Sequence, residues 1–331
     1  MDDNLYGSRD KRGNWTPNEP LKKAPVFVLP PQPRAFLKWL PTYFLPWNVI
    51  LMLIAGLTWY ALTPSQETLS VLSADWILYL LARNSLGIFL FYGAFQLHFY
   101  WMRRQDIAFK YNGKWPRKKD DSFLFGSQLR ENLFWTFAAG VPIMTAYEVL
   151  ILWVFANGYM PFVSFGENPI WLAVLFLLVP LIHEVHFYLV HRLIHIPPLY
   201  QWIHSLHHNS VNPAPFSSLS MHPVEHLLYF SGILVHFILP SNPFLAMYHL
   251  YFAGYGAVVG HVGFDKVVLN DEKAVPTHAY NHYLHHKYFE VNYSEGLVAL
   301  DQMFGTFHDG SEDGDRLMKE RFRRRRAKLN S

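Results

Sequence analysis

IWLAVLFLLVPLIHEVHFYLVHRLIH, Ile170–His195, is the stretch on which the architecture turns. It opens with thirteen residues, Ile170–Ile182, that carry no charge, and the apolar run continues to Val190. That is the length of helix needed to cross a hydrocarbon core of about 30 Å. Its second half fills with histidine: His183, His186, His191 and His195. The segment predicts a membrane-spanning helix that leaves the bilayer carrying imidazoles.

Three further runs have the same character. Tyr43–Leu62 (YFLPWNVILMLIAGLTWYAL) has no charged residue, and Trp47, Trp59 and Tyr60 suit the two interfaces. Trp76–Trp101 contains Arg83, which weakens it, although an arginine near a helix end can snorkel. Leu133–Asn157 contains one charge, Glu148. The chain is 51% hydrophobic, 17% aromatic and only 16% charged, with a mean hydropathy of +0.06. Soluble domains carry about a quarter charged residues. Buried core helices are the soluble alternative, but four runs with so few charges favour spanning helices. The expected fold is all-α: a multi-pass transmembrane helical bundle with a cytosolic, histidine-rich helical cap.

Loop charge orients the bundle. Arg9, Lys11, Arg12, Lys22, Lys23, Arg34 and Lys38 precede the first run, and Arg103, Arg104, Lys110, Lys114, Arg117, Lys118, Lys119 and Arg130 separate the second from the third. Loops 63–75 and 157–169 hold no Lys or Arg. The positive-inside rule then places the N-terminus, the 102–130 loop and the histidines in the cytosol, of a bacterial inner membrane or the endoplasmic reticulum. The basic 102–119 segment follows from topology alone, or it docks an acidic electron donor.

Four regions result. Residues 1–42 form a Pro-rich arm, whose Pro17, Pro20, Pro25, Pro30, Pro31 and Pro33 argue against a long helix. Residues 43–169 hold the first three helices and the basic loop, 170–310 the histidines, and 311–331 a basic tail. Within the third region Pro223–Gly260 is apolar but broken by Pro240 and Pro243, so it either dips into the membrane as a hairpin or lies along it. In the tail, Arg321–Arg326 is a solvated charge run or a contact with anionic lipid heads. No signal-peptide core appears in the first forty residues. A net charge of +3 does not suggest nucleic acid, and the absence of cysteine removes disulfides, thiolate metal sites and iron–sulfur clusters.

Of the 18 histidines, all but His98 and His308 lie between His183 and His286. They repeat in pattern: His191 and His195 are four apart, while His204, His207, His208 and His282, His285, His286 are each spaced i, i+3, i+4. On a helix such residues share a face, with Cβ atoms about 5–6 Å apart. Two imidazoles so placed bind one ion, and the adjacent His of each doublet reaches a second. A lone histidine is more often a core or surface group, as expected of His236 and His249; His278 stays undecided. His183 is about 12 Å along the helix from His191, too far to share its ion, so His183 and His186 suit the lining of a substrate channel.

Imidazole suits Zn, Cu, Fe and Ni. Catalytic zinc needs three protein ligands and a water. Eight imidazoles exceed that, and an all-nitrogen pair of ions beside a membrane points to iron, dioxygen and unactivated lipid C–H bonds. Two other classes compete: a zinc-dependent membrane hydrolase, and a metal transporter, whose ligands belong near the bilayer midplane.

HFYLVHRLIH (His186–His195), YQWIHSLHHNSVNPAPFSSLSMHPVEH (Tyr200–His226), HVGFD (His261–Asp265) and HYLHHKYFEVNYSEGLVALDQMFGT (His282–Thr306) together resemble the fatty acid hydroxylase / sterol desaturase superfamily, nearest its sterol methyl oxidase and sterol desaturase branch. The resemblance covers about residues 170–310. It implies a non-haem di-iron centre at the cytosolic face, O₂ as co-substrate, and electrons from a separate redox protein such as a b-type cytochrome or ferredoxin. The implied ligands are His191, His195, His204, His207, His208, His282, His285 and His286, joined by the matching single histidines His222 and His261. Asn281 stands where some relatives carry a further histidine. Glu184 stands near an acidic position of relatives, where a carboxylate orients a ligand imidazole. The implied activity is lipid hydroxylation or desaturation, on a sterol, acyl chain, sphingoid base or aminoacyl lipid.

Overall fold

A computed structural model describes residues 1–329, with side chains through Arg324. In the basic run, the side chains of Arg325 and Arg326 fall outside the described residues, as do Asn330 and Ser331 entirely. The architecture is helical, with two short antiparallel hairpins. The first hairpin pairs β1 (Gly7–Arg9) with β2 (Trp15–Pro17). Trp15 is buried edge-on against Phe109, which ties the arm to the loop after the second long helix.

α1 (Pro33–Phe44) and α2 (Trp47–Leu62) follow. The helix thus begins inside the Pro-rich arm, earlier than the proline content suggests. Pro33 sits in the first turn, where the missing N–H needs no partner. α3 (Ala74–Phe95) runs on through a π turn to Trp101. α4 (Gln128–Trp135), a π turn and α5 (Val141–Ala156) make one apolar column. α6 is Pro169–Ile194. Four segments, Pro33–Leu62, Ala74–Trp101, Gln128–Ala156 and Pro169–Ile194, are long and apolar enough to cross a membrane.

Arg83 does not snorkel. Its guanidinium pairs with Glu148 on α5 and donates to Leu62 O on α2 (3.0 Å) and to the Tyr251 hydroxyl (3.2 Å). Asn84 donates to the other carboxylate oxygen of Glu148 (2.7 Å). The side chains of Arg83 and Glu148 are 9% and 0% exposed. Each charge inside the bilayer is costly alone, and here they satisfy one another while joining four helices.

Beyond α6 come the one-turn helix α7 (Ser205–His208) and α8 (Pro223–Phe230), which continues as a 3-10 turn to Phe237. α9 (Pro243–His261) then returns. Pro223–Gly260 therefore neither lies along the membrane nor dips part-way. Its turn bonds to the loop between α5 and α6: Ser241 N to Pro161 O (3.1 Å), and Val163 N to Ser241 O (2.9 Å). Its two ends, Glu225 and His261, reach the histidines at the opposite face. α9 is about 28 Å long, and fourteen of its nineteen residues are buried among protein neighbours. It needs no lipid-facing apolar surface, which is why histidine, tyrosine and glycine occupy a crossing segment.

β3 (Lys266–Val268) and β4 (Ala274–Pro276) form the second hairpin, followed by α10 (Tyr280–Tyr288) and α11 (Glu312–Leu329). The basic 102–130 loop is only partly a free charged surface. Lys110 is buried and donates to the carbonyls of Asn112 (2.7 Å) and Lys114 (2.8 Å), and Arg103 stacks on Trp115 (4.0 Å).

Candidate metal centre

Four helices bring histidines to one end of the bundle. His191 lies in the last turn of α6 and His195 caps it. The π turn Tyr200–His204 runs directly into α7, so His204, His207 and His208 share a face. α10 supplies His282, His285 and His286, and α9 ends on His261.

The rings sort into two groups: His191, His195, His204, His208 and His285 in one, and His207, His261, His282 and His286 in the other. Within each group the ligand nitrogens all lie within 4.8 Å of one another. In the first, Nε2 atoms stand 3.1 Å apart for His191 and His204, 3.0 Å for His204 and His208, 3.0 Å for His208 and His285, and 3.3 Å for His195 and His208. In the second, the spacings are 3.3 Å for His207 and His261, 2.9 Å for His261 and His282, and 3.0 Å for His282 and His286.

The opposite ring nitrogens show which way the protons face. Nδ1 of His191 donates to Tyr293 O (2.7 Å), that of His285 to Val291 O (2.7 Å), that of His261 to Ala257 O (2.9 Å), and that of His207 to Ser220 O (3.4 Å). His204 Nδ1 bonds a carboxylate oxygen of Glu225 (2.7 Å). A carbonyl only accepts, so Nδ1 of His191, His285, His261 and His207 carries the hydrogen and each neutral ring leaves Nε2 a bare lone pair. His207 and His261 then face each other, lone pair to lone pair, at 3.3 Å. No hydrogen bond is possible there, whereas a cation between them satisfies both.

The spacings fit such a cation. Metal–nitrogen bonds of about 2.0–2.1 Å place neighbouring ligands about 3.3–3.4 Å apart in a tetrahedron and about 2.9–3.0 Å apart at right angles. The neighbour spacings in both groups, 2.9 to 3.3 Å, fall in that range. Five nitrogens in the first exceed a tetrahedral shell. Burial, then the neighbouring imidazoles, hold His204, His208, His282, His285 and His286 well below the usual histidine range, and burial holds His207 down to about 4. The rings are therefore neutral at physiological pH, as metal binding requires.

The structure thus brings nine of the ten expected ligands together. His222 lies outside both groups, where its Nδ1 accepts from Val224 N (3.2 Å) and caps α8. Glu184 touches no ligand imidazole. Its buried carboxylate accepts from Gly296 N (2.9 Å) and Leu297 N (3.0 Å), anchoring the loop that follows α10. It bears on the centre through that loop, whose Tyr293 carbonyl holds His191. His183 stacks on Phe187 (6.2 Å), deeper in the bundle, and His236 and His249 bond to one another (3.3 Å).

Two residues with clear roles lie in the quoted stretches but are not among the expected ligands. Glu225, in HPVEH, orients His204. Asp301 opens the closing D-x-x-FGT and accepts from Tyr293 N (3.0 Å), Ser294 N (2.8 Å), Ser294 Oγ (2.7 Å) and Thr306 Oγ1 (2.5 Å). The signal was an acid at a fixed place beside a histidine box; its partner is invisible without the fold.

Residues 176–306 match the family model described as Fatty acid hydroxylase. The chain is 27% identical over 139 residues to a Delta(7)-sterol 5(6)-desaturase of Gibberella zeae, covering 41% of this chain and 42% of that protein. It is 29% identical over 128 residues to methylsterol monooxygenase 1 of Gallus gallus, covering 38% and 43%. To the fatty acid hydroxylase ahd1 of Mycosarcoma maydis it is 33% identical over 130 residues, covering 38% and 31%. The matches thus span less than half the length of these relatives. No solved structure matches the chain. The histidine-bearing part of the chain, residues 176–306, is thus similar to the fatty acid hydroxylase / sterol desaturase superfamily.

Proposed function

We propose that this protein is a membrane-bound, O₂-dependent oxidoreductase that holds two iron ions and hydroxylates or desaturates a lipid, with a sterol as the first candidate. The observation that carries it is the pair of imidazole groups whose Nε2 atoms converge, with the Nδ1 hydrogens of His191, His207, His261 and His285 tied to backbone carbonyls. The relatives named as sterol desaturase and methylsterol monooxygenase support the substrate class.

Bound there, a pair of iron ions supplies the chemistry that reduces dioxygen and removes hydrogen from an unactivated C–H bond. The protein supplies position. Tyr293, Val291, Ala257 and Ser220 fix four rings through their carbonyls, and Glu225 fixes His204. Phe187 forms the membrane-side wall: its ring lies 4.9 Å from His191, 6.4 Å from His282 and 5.9 Å from Tyr229. A lipid reaches the centre past that wall without crossing water. Hydroxylation consumes R–H, O₂, two electrons and two protons and yields R–OH and water, so a one-electron donor protein such as a b-type cytochrome or ferredoxin must be oxidised twice per turnover. Loop charge supports a cytosolic face for the centre.

The zinc-hydrolase alternative is disfavoured by five nitrogens around one position, and the transporter alternative by ligands at the helix ends instead of midplane. Metal analysis of purified protein, with lipidomics of cells with and without the gene, tests the proposal. The expected result is two irons per chain and a lipid heavier by one oxygen or lighter by two hydrogens, lost in His207→Ala. One zinc per chain and no iron, or full turnover in His207→Ala, would overturn it.

A further inference from the structure

The loop between α10 and α11 has two working sides. On the inner side, the Val291 and Tyr293 carbonyls hold His285 and His191, each at 2.7 Å. On the outer side two arginines lie over it. Arg192, exposed at the end of α6, sets its guanidinium 4.5 Å from the Tyr293 ring. Arg321, on α11, donates to Gly305 O (2.9 Å) and to Glu290 O. Beside them Met303 and Phe304 are 71% and 61% exposed.

This face continues the membrane-crossing surface. Phe304 stacks on Tyr188 of α6 (5.6 Å), and Leu189, the next residue of that helix, is 61% exposed. The apolar outer strip of a spanning helix therefore runs into Met303–Phe304 and ends at two guanidinium groups. Apolar side chains at bilayer level with cations just beyond them match the boundary between acyl chains and headgroups. Of the acids on α11, Asp315 is paired with His308 (3.0 Å) and Glu320 with Arg316 (3.2 Å) and Arg324 (3.9 Å), while Glu290 and Asp301 act on Arg321; Arg192, Arg321 and Arg323 together leave the face a positive excess. Arg323 and Arg324 extend the basic surface along α11.

We propose that this face binds the phosphate headgroup of an anionic membrane lipid, with Arg192 and Arg321 on the phosphate and Met303 and Phe304 among the acyl chains. The bound lipid clamps the 289–306 loop, and so holds the carbonyls that orient His285 and His191. The proposal rests on the five-histidine group being a metal site, and it makes retention of that metal depend on lipid charge.

The test uses the full-length, iron-loaded protein in nanodiscs of phosphatidylcholine alone or with phosphatidylglycerol. Iron loss to a chelator and Tm are measured in both. Phosphatidylglycerol is expected to slow iron loss about fivefold or more and to raise Tm. The difference should vanish in Arg192→Gln/Arg321→Gln. It should shrink in Met303→Ser/Phe304→Ser, which keeps both arginines and serves if the first variant does not fold. Equal loss and equal Tm in the two lipids, or a lipid effect that survives both double substitutions, overturns the proposal. So does a face that ignores lipid charge and instead binds the acidic haem domain of a b-type cytochrome. If no preparation holds iron, the proposed function fails, and the charge-dependent Tm still decides the lipid site.

Discussion

Asp301→Asn is the substitution whose consequence can be worked furthest. The Asp301 carboxylate is 1% exposed and accepts four hydrogen bonds. Oδ1 takes Tyr293 N and Thr306 Oγ1, and Oδ2 takes Ser294 N and Ser294 Oγ. Asparagine preserves the shape but replaces one oxygen by an NH₂ group. Whichever way the amide turns, one backbone N–H faces another donor, while the neighbouring hydroxyl can rotate to accept. A buried donor left without an acceptor costs about 1–3 kcal/mol, a sizeable part of a domain's net stability. The loss falls on the loop that presents Tyr293 O to His191. Loosened ligand orientation typically lowers metal affinity about 10–100-fold. Thermal unfolding in detergent and iron content after dialysis against a chelator are the assays. The expected result is a lower Tm together with faster loss of iron. A variant with wild-type Tm and wild-type iron retention would refute the assignment of Asp301 as the anchor of this loop.

Glu225→Gln should leave the fold intact and weaken metal retention by about tenfold or more, because a carboxylate acceptor for His204 Nδ1 becomes an amide; chelator competition measures it. Glu148→Gln removes the partner of a buried guanidinium and should cost about 3–5 kcal/mol, read as a fall in Tm without change in the bound-iron spectrum. Stripping the metal should lower Tm in wild type, since the facing lone pairs of His207 and His261 then repel, and re-addition of ferrous iron should restore it. A Tm indifferent to metal removal would argue against a loaded site in the folded protein.

Much of this protein is legible in one dimension. Four apolar runs declare the crossing helices because a bilayer imposes a length and forbids charge, and both are local properties of sequence. The doubled i, i+3, i+4 histidines declare a metal site because helix geometry alone puts those residues on one face. Three things were decided only by the folded chain. Spacing already sends the adjacent His of each doublet to a second ion, but it does not say which segments share an ion; the fold sets His285 with His191, His195, His204 and His208, and His261 with His207, His282 and His286. The partners of Arg83, Glu184, Glu225 and Asp301 come from 21 to 168 residues away or across a turn, and no period in the sequence encodes such a pairing. The passage of α9 through the core was hidden because hydropathy registers contact with lipid, whereas α9 is sheathed in protein and is free to carry polar side chains.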